Sequence, residues 1–298
     1  QHTHGAGKTA SRYAIIAIDS IPGPVVATLD IPGGPLVTPN TALFLDAAHG
    51  RLFAGSPVDS AEDVVVLSTH PLRVMNSWGV DCRQGVALRA ISRDGSRLYA
   101  SCGHRILILD PTNGAIVATT TMTNDVASLL LDEEASSVYA TIFDGTIGDL
   151  PAIVAIAPMT LVSRRSYATS FNPAVLTVNS RGEVLFTAIV GPAARHYFTL
   201  EPETGTILDR GDSNDVLYAA PTARADRIFG VDANPKCLST GDCAGQQVVQ
   251  YDALNFRVAN TLDVDDRAPD DPSRDNFLAD IDFLAVLPRT QLAVEYFH

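Results

Sequence analysis

Residues 85–121 read GVALRAISRDGSRLYASCGHRILILDPTNGAIVATTT. Four short apolar or β-branched runs are separated by three turns. The first run is residues 86–91, and Ser92-Arg93-Asp94-Gly95 turns it into Arg97-Leu98-Tyr99-Ala100. Ile106-Leu107-Ile108-Leu109 is the third run, and Asp110-Pro111-Thr112-Asn113-Gly114 leads into the fourth, residues 115–119. Runs of this composition bounded by Asp-Gly and Asn-Gly are strands and turns, because β-branched side chains fit a pleated surface and glycine reaches the left-handed turn conformation.

Outward from this unit, the pattern recurs about every forty residues, a period that marks propellers and solenoids. The second strands align best: RLFA at 51–54, RLYA at 97–100, SVYA at 137–140, VLFT at 184–187, RIFG at 227–230 and QLAV at 291–294. First strands begin near residues 42, 86, 126, 174, 216 and 277. Third strands follow at 63–68, 105–110, 152–157, 196–200 and 247–252, and fourth strands at 72–78, 115–121, 161–167, 206–210 and 256–262. The missing outer pair lies at the other end of the chain, at 13–19 and 25–30. The N-terminus then supplies the outer two strands of one blade and the C-terminus its inner two, which removes free sheet edges. The expectation is an all-β, six-bladed β-propeller of four-stranded antiparallel blades. It forms one domain over residues 13–298, behind a flexible arm at 1–12 that contains His2 and His4. The acidic, proline-containing stretch between Val264 and Asn276 reads as a loop.

The 298 residues carry a net charge of −13 and no apolar run of membrane-spanning length. That charge argues against nucleic acid and anionic membranes as partners, since both need a basic face. The chain opens at Gln1, which fits a trimmed sequence that has lost a signal peptide. Four cysteines are an even number: Cys82 and Cys102 lie at two ends of the opening unit, and Cys237 and Cys243 flank LSTGD. Two disulfides would place the protein in an oxidising, secreted or extracytoplasmic setting, whereas four reduced thiols would suit the cytosol.

The succession of apolar strand, Asp-Gly turn, RLYA strand, ILILD strand and PTNG turn resembles the YVTN-type β-propellers, over nearly the whole chain. In a propeller, first strands line the channel, and the loops leading into them share one face with the loops joining second to third strands. An amide or its neighbour recurs at these lead-in positions: Asn40, Arg83-Gln84, Asn124-Asp125, Asn172, Asn214-Asp215 and Asp275-Asn276. Asn and Asp also favour turns, and repeats copy their turn residues. The other reading is a polar ring that binds an oxygen-rich ligand or a cation. That ring is similar in part to the SMP-30/gluconolactonase propellers, whose resemblance implies a divalent cation held by Glu, Asn and Asp, with Asn124, Asn172, Asn214 and Asp215 in the Asn and Asp parts. No Glu precedes any first strand, and hard cations want several oxygen ligands. The expectation is therefore no cofactor, with Ca²⁺ the ion a completed set would hold.

The second-to-third loops at 56–62, 144–151, 190–195 and 232–246 read as long, and the one at His104 as minimal. His104 and Arg83 are the candidate catalytic residues, facing each other across the Cys82–Cys102 link, with His104 the candidate general acid/base. Tyr296 and Phe297 follow the last inner strand and either cap a pocket or fray. Met75 and Trp78 read as packing on an outer strand. Nucleophile elbows, phosphate loops and HExxH are absent from the sequence. The expected ligand is a small organic molecule at the channel mouth. The expected chemistry is metal-free cyclisation or elimination, as resemblance to secreted fungal hetero-Diels–Alderase propellers implies. A metal-dependent SMP-30-type lactonase and a non-catalytic binding propeller are the alternatives.

Overall fold

The computed structural model describes residues 13–18, 25–31, 43–46, 48–55, 64–69, 71–82, 86–143, 150–190, 194–213, 216–218, 224, 226–232 and 247–263. β1 (Tyr13–Ile18) and β2 (Val25–Ile31) pair antiparallel as a two-stranded sheet. Blade 1 contains β3 (Leu43–Asp46), β4 (Arg51–Gly55), β5 (Val64–Thr69) and β6 (Leu72–Trp78). Blade 2, the opening unit, contains β7 (Ala87–Ile91), β8 (Leu98–Cys102), β9 (Arg105–Leu109) and β10 (Ile116–Thr121). Blade 3 is β11 (Val126–Asp132), β12 (Ser137–Ile142), β13 (Ala152–Ile156) and β14 (Ser163–Ala168). Blade 4 is β15 (Pro173–Val178), β16 (Val184–Val190), β17 (Ala194–Leu200) and β18 (Ile207–Ser213). Blade 5 is β19 (Val216–Tyr218), β20 (Arg227–Asp232), β21 (Gln247–Asp252) and β22 (Val258–Asp263).

The architecture is a β-propeller. Among the described residues five blades are complete rather than six, and the strands expected near 277 and at 291–294 lie outside them. The strands expected at 13–19 and 25–30 are present as the two-stranded β1–β2 sheet, and β2 lies beside β6 of blade 1. One loop reading is corrected. The connection expected at 190–195 is shorter, because the β16–β17 ladder continues through Ile189 with Arg195 and Val190 with Ala194.

Burial explains why second strands aligned best. β8 and β12 are buried at every position, because each side chain meets a neighbouring blade whichever face it takes. The outermost β10 and β14 are largely exposed. The core is accordingly a series of layers between consecutive blades. Phe53, Trp78, Leu88 and Leu107 join blades 1 and 2. Tyr99, Ile108, Leu129 and Val138 join blades 2 and 3, and Tyr139, Val175, Phe186 and Phe198 join blades 3 and 4. Trp78 packs as expected, but Met75 is 56% exposed, because it lies on the outward part of an edge strand.

Turns lock each blade to the next. The Tyr99 hydroxyl donates to the Pro158 carbonyl at 3.1 Å, and the Tyr167 hydroxyl to the Pro202 carbonyl at 2.8 Å. Within the opening unit the Asp94 carboxylate accepts from Ser92 Oγ at 2.6 Å, Ser96 Oγ at 2.8 Å and the Ser96 amide at 3.0 Å. The Ser92 hydroxyl above all, then Ser96, lowers its pKa to about 2. A depressed carboxylate stabilises the fold above its unfolded pKa, and that contribution is lost as pH falls from about 4 through about 2. The Asp94→Asn variant should therefore lack part of the wild-type stability loss in that window. Carbon-13 NMR titration of the Asp94 carboxyl checks this, and a midpoint near the ordinary carboxylate value would refute it.

Candidate functional site on the upper edge of blade 2

The second strand of blade 2 ends at Cys102, and the ladder closes through the Cys102–Arg105 pair, leaving Gly103 and His104 as the whole turn. Gly103 has φ +55°, in the left-handed region that glycine reaches without strain. Cys102 is bonded to Cys82, with 5.8 Å between their Cα atoms. The Arg105 guanidinium donates to the Asp81 carbonyl and reaches Cys102 Sγ at 3.2 Å. The turn is thus tied on its own blade.

Blade 3 holds it from the other side, where the Val126 amide donates to the Gly103 carbonyl at 3.0 Å. The Met122 amide, just past β10 of blade 2, donates to the His104 carbonyl at 2.8 Å. These bonds bring the lead-in residues of blade 3 alongside the turn. His104 Nδ1 lies 3.5 Å from Asp125 Oδ1, with the two side chains 51% and 63% exposed. An imidazole with a carboxylate at one nitrogen keeps its other nitrogen, Nε2, free to exchange a proton with a bound molecule.

The remaining sequence candidates fall in two groups. Asn124 is buried beside this pair, whereas Asn172, ahead of β15, is exposed. The two described members of the expected amide ring are therefore not presented alike. Asn40, Arg83, Gln84, Asn214, Asp215, Asn276, Tyr296 and Phe297 lie outside the described residues, as do Cys237 and Cys243. The structure thus unites His104, Asn124, Asp125, Cys82 and Cys102, and sets Asn172 apart on the next blade. Among the described residues no three His, Cys, Asp or Glu side chains converge.

Sequence reasoning missed an ionic cluster at the opposite face, where first strands turn into second strands. Asp46 accepts two bonds from Arg51, at 2.7 and 2.9 Å, and lies 2.9 Å from His49 Nδ1. Arg51 also donates to the Gly95 carbonyl of blade 2 at 3.0 Å. Glu133 accepts from the Arg93 amide at 2.6 Å. Arg224, ahead of β20, pairs with Glu134 at 3.1 Å and with Asp132 at 3.4 Å. Arg93, Asp132, Glu133, Glu134 and Arg224 line a crevice with Val178. Because its charges are mutually paired, the cluster ties one blade to another rather than offering a free charge. The signal was an acidic residue ending a first strand, Asp46 and Asp132, which alignment on second strands passes over. A further His–Asp contact, His196 Nδ1 to Asp209 Oδ2 at 2.9 Å, sits between β17 and β18. Burial alone would raise the Asp209 pKa, but bonds from the Gly211 amide and His196 outweigh it, and the net shift is downward.

No protein-family model matches the sequence, and no curated protein matches it. Among solved structures the chain is similar to the hydrazine synthase of Kuenenia stuttgartiensis, at 16% identity and a TM-score of 0.55, over 78% of this chain and 69% of that one. It is also similar to the β-propeller domain of Myceliophteria thermophila Cps50 (Swd1), at 12% identity and a TM-score of 0.50, over 75% of this chain and 72% of that one. At these identities the likeness is one of fold, and the fold is that of a β-propeller.

Proposed function

We propose that this chain is a secreted or extracytoplasmic propeller enzyme acting on a small organic molecule at the upper mouth of its channel. The chemistry is metal-free, of cyclase or lyase type, as the fold-level resemblance to hetero-Diels–Alderase propellers implies. The observation carrying the reading is the His104–Asp125 pair on a turn fixed from both sides. Asp125 orients the imidazole, and Nε2 gives or takes the proton as bonds in the ligand rearrange. Holding that group in place before the ligand arrives removes part of the reorganisation cost of reaction. The Cys82–Cys102 bridge supports the oxidising location. A sixth blade closed by both chain ends belongs to the same reading, because β2 lies beside β6, where the outermost strand of a closing blade would pack. A chain truncated before residue 277 should then melt less cooperatively, and an unchanged melt would contradict closure.

Turnover is to be screened in EDTA, with panels of conjugated dienes, β-substituted carbonyl compounds and lactones, by mass spectrometry of products. Wild-type turnover should survive the chelator. The His104→Gln variant should lose on the order of 10²–10⁴-fold in rate, the usual worth of a general acid/base, and Asp125→Asn a smaller part of that. Activity that vanishes in EDTA and returns with Ca²⁺ would select lactonase chemistry instead. Ligand binding without turnover, unchanged in His104→Gln, would select a binding propeller.

A further inference from the structure

We propose that Arg89 forms an anion site in the central channel and binds the carboxylate of a small organic acid. Arg89 lies in β7, the innermost strand of blade 2, within the apolar run Val86-Ala87-Leu88-Arg89-Ala90-Ile91. The register against β8 slips between Leu88 and Ala90, so Arg89 is the extra residue of a bulge. Its neighbours Leu88 and Ala90 pack in the layers on the two sides of the blade. As the extra residue, Arg89 belongs to neither layer. Its guanidinium instead reaches the neighbouring innermost strand. Nη2 donates at 2.9 Å to the carbonyl of Ala127, which is itself the extra residue of a bulge in β11, the innermost strand of blade 3.

No carboxylate pairs with Arg89 among the described residues, and its buried Nε has no hydrogen-bond partner. Burial also lowers its pKa from the ordinary arginine value. Arg89 is half-buried, and a charge withdrawn from water without a counter-charge is costly. The lower-face arginines Arg51 and Arg224 are both paired with carboxylates, so the contrast lies within one molecule. With Nη2 committed to Ala127 and Nε enclosed, the N–H groups of Nη1 are left to donate to a carboxylate. The bulge at the equivalent place in blade 4 carries Leu176, which packs against the layer between blades 4 and 5. One cation in an otherwise apolar strand suits a monoanionic head on an apolar body, and a dianion would leave excess charge.

The site stands independently of His104 and is tested separately. Thermal melts and calorimetry are run on the full chain with sodium benzoate and acetate, and with chloride and inorganic phosphate at matched ionic strength. Benzoate should raise the melting midpoint saturably and more than acetate, with little response to chloride or phosphate. Arg89→Met should abolish the benzoate response and weaken its binding at least tenfold. Without carboxylate this variant should also melt about 3 °C higher, because it removes an uncompensated charge. Arg89→Gln, which keeps a donor for the Ala127 carbonyl, should lose the benzoate response as well, and His104→Gln should retain it. The proposal is overturned if wild-type protein ignores benzoate, if the arginine variants respond as it does, or if chloride and phosphate act equally well. It is also overturned if both arginine variants melt lower, which would make Arg89 a structural brace. Wild-type titrations decide the carboxylate preference even if a variant fails to fold.

Discussion

Gly114→Ala is expected to destabilise the protein by about 3 kcal/mol, the sum of left-handed strain and local overpacking. Gly114 closes the turn that begins at Asp110, donating its amide to the Asp110 carbonyl at 2.8 Å, with φ at +72°. Strain is only part of the cost. Leu161 and Phe256 hold the corresponding turn positions of blades 3 and 5 at φ +55° and +56°. A side chain is accepted there because neighbouring blades leave room: Leu161 is buried in the layer between blades 2 and 3, and the Phe256 ring sits 4.7 Å from that of Tyr197. At Gly114 the space is filled. A Cβ would lie 2.6 Å from Cδ2 of Trp78, which blade 1 lays across the turn. Backbone and indole cannot both stay where they are.

Two controls separate the terms. Gly50 has φ +63°, and its nearest neighbour to an added Cβ is Thr69 Oγ1 at 3.4 Å. Gly50→Ala should therefore cost only the strain, about 1 kcal/mol. Trp78→Leu removes the obstructing ring, so adding Gly114→Ala in that background should cost much less than in wild type. Urea unfolding of the cycle measures the coupling directly. Strict additivity would show that Trp78 is not the obstacle.

Removing the Cys82–Cys102 bridge in a Cys82→Ala/Cys102→Ala variant is expected to cost about 3 kcal/mol, from the chain entropy restored to the unfolded state. The cysteines are 20 residues apart, and the bridge encloses β7 and its turn into β8. β7 and β8 are already hydrogen-bonded in the native state, so the bridge acts mainly by restricting the unfolded chain. Both cysteines are buried, which should make reduction of the native protein slow. Unfolding midpoints of the variant, and of wild type with and without reductant, test the point. A variant as stable as wild type would remove the bridge from the stability argument. The same variant should lower any turnover that depends on His104, because the bridge anchors one side of that turn.

Much of the fold was legible because a propeller repeats one local problem. The second strands β8 and β12 are buried on both faces, so RLYA and SVYA stand out as apolar runs without alternation. Edge strands carry less information, and β18 accordingly runs three residues past the end expected at 210. The blade count depends on residues far apart in the chain, which no local pattern pairs.

The candidate site was legible in pieces. Spacing nominated His104 and the cysteines. The hydrogen bond that brings Asp125 beside His104 runs between blades, to the Gly103 carbonyl, and backbone carbonyls have no sequence signature. Arg89 was present as one cation in an apolar strand, but a bulge is a property of register with a partner strand. The lower-face cluster likewise joins Asp132 to Arg224 across most of two blades of sequence.

By itself the sequence determined the strand class, the repeat and the turn chemistry, and nominated Cys82 and Cys102 as partners, all of which rest on local composition and on the spacing it repeats. Only the tertiary structure decided which polar groups meet: His104 with Asp125, Arg224 with Asp132, and Arg89 with a carbonyl and no carboxylate. Those meetings depend on how one blade is rotated against the next. That rotation is set by side-chain packing in the layers between blades, where residues distant in the chain occupy the same space.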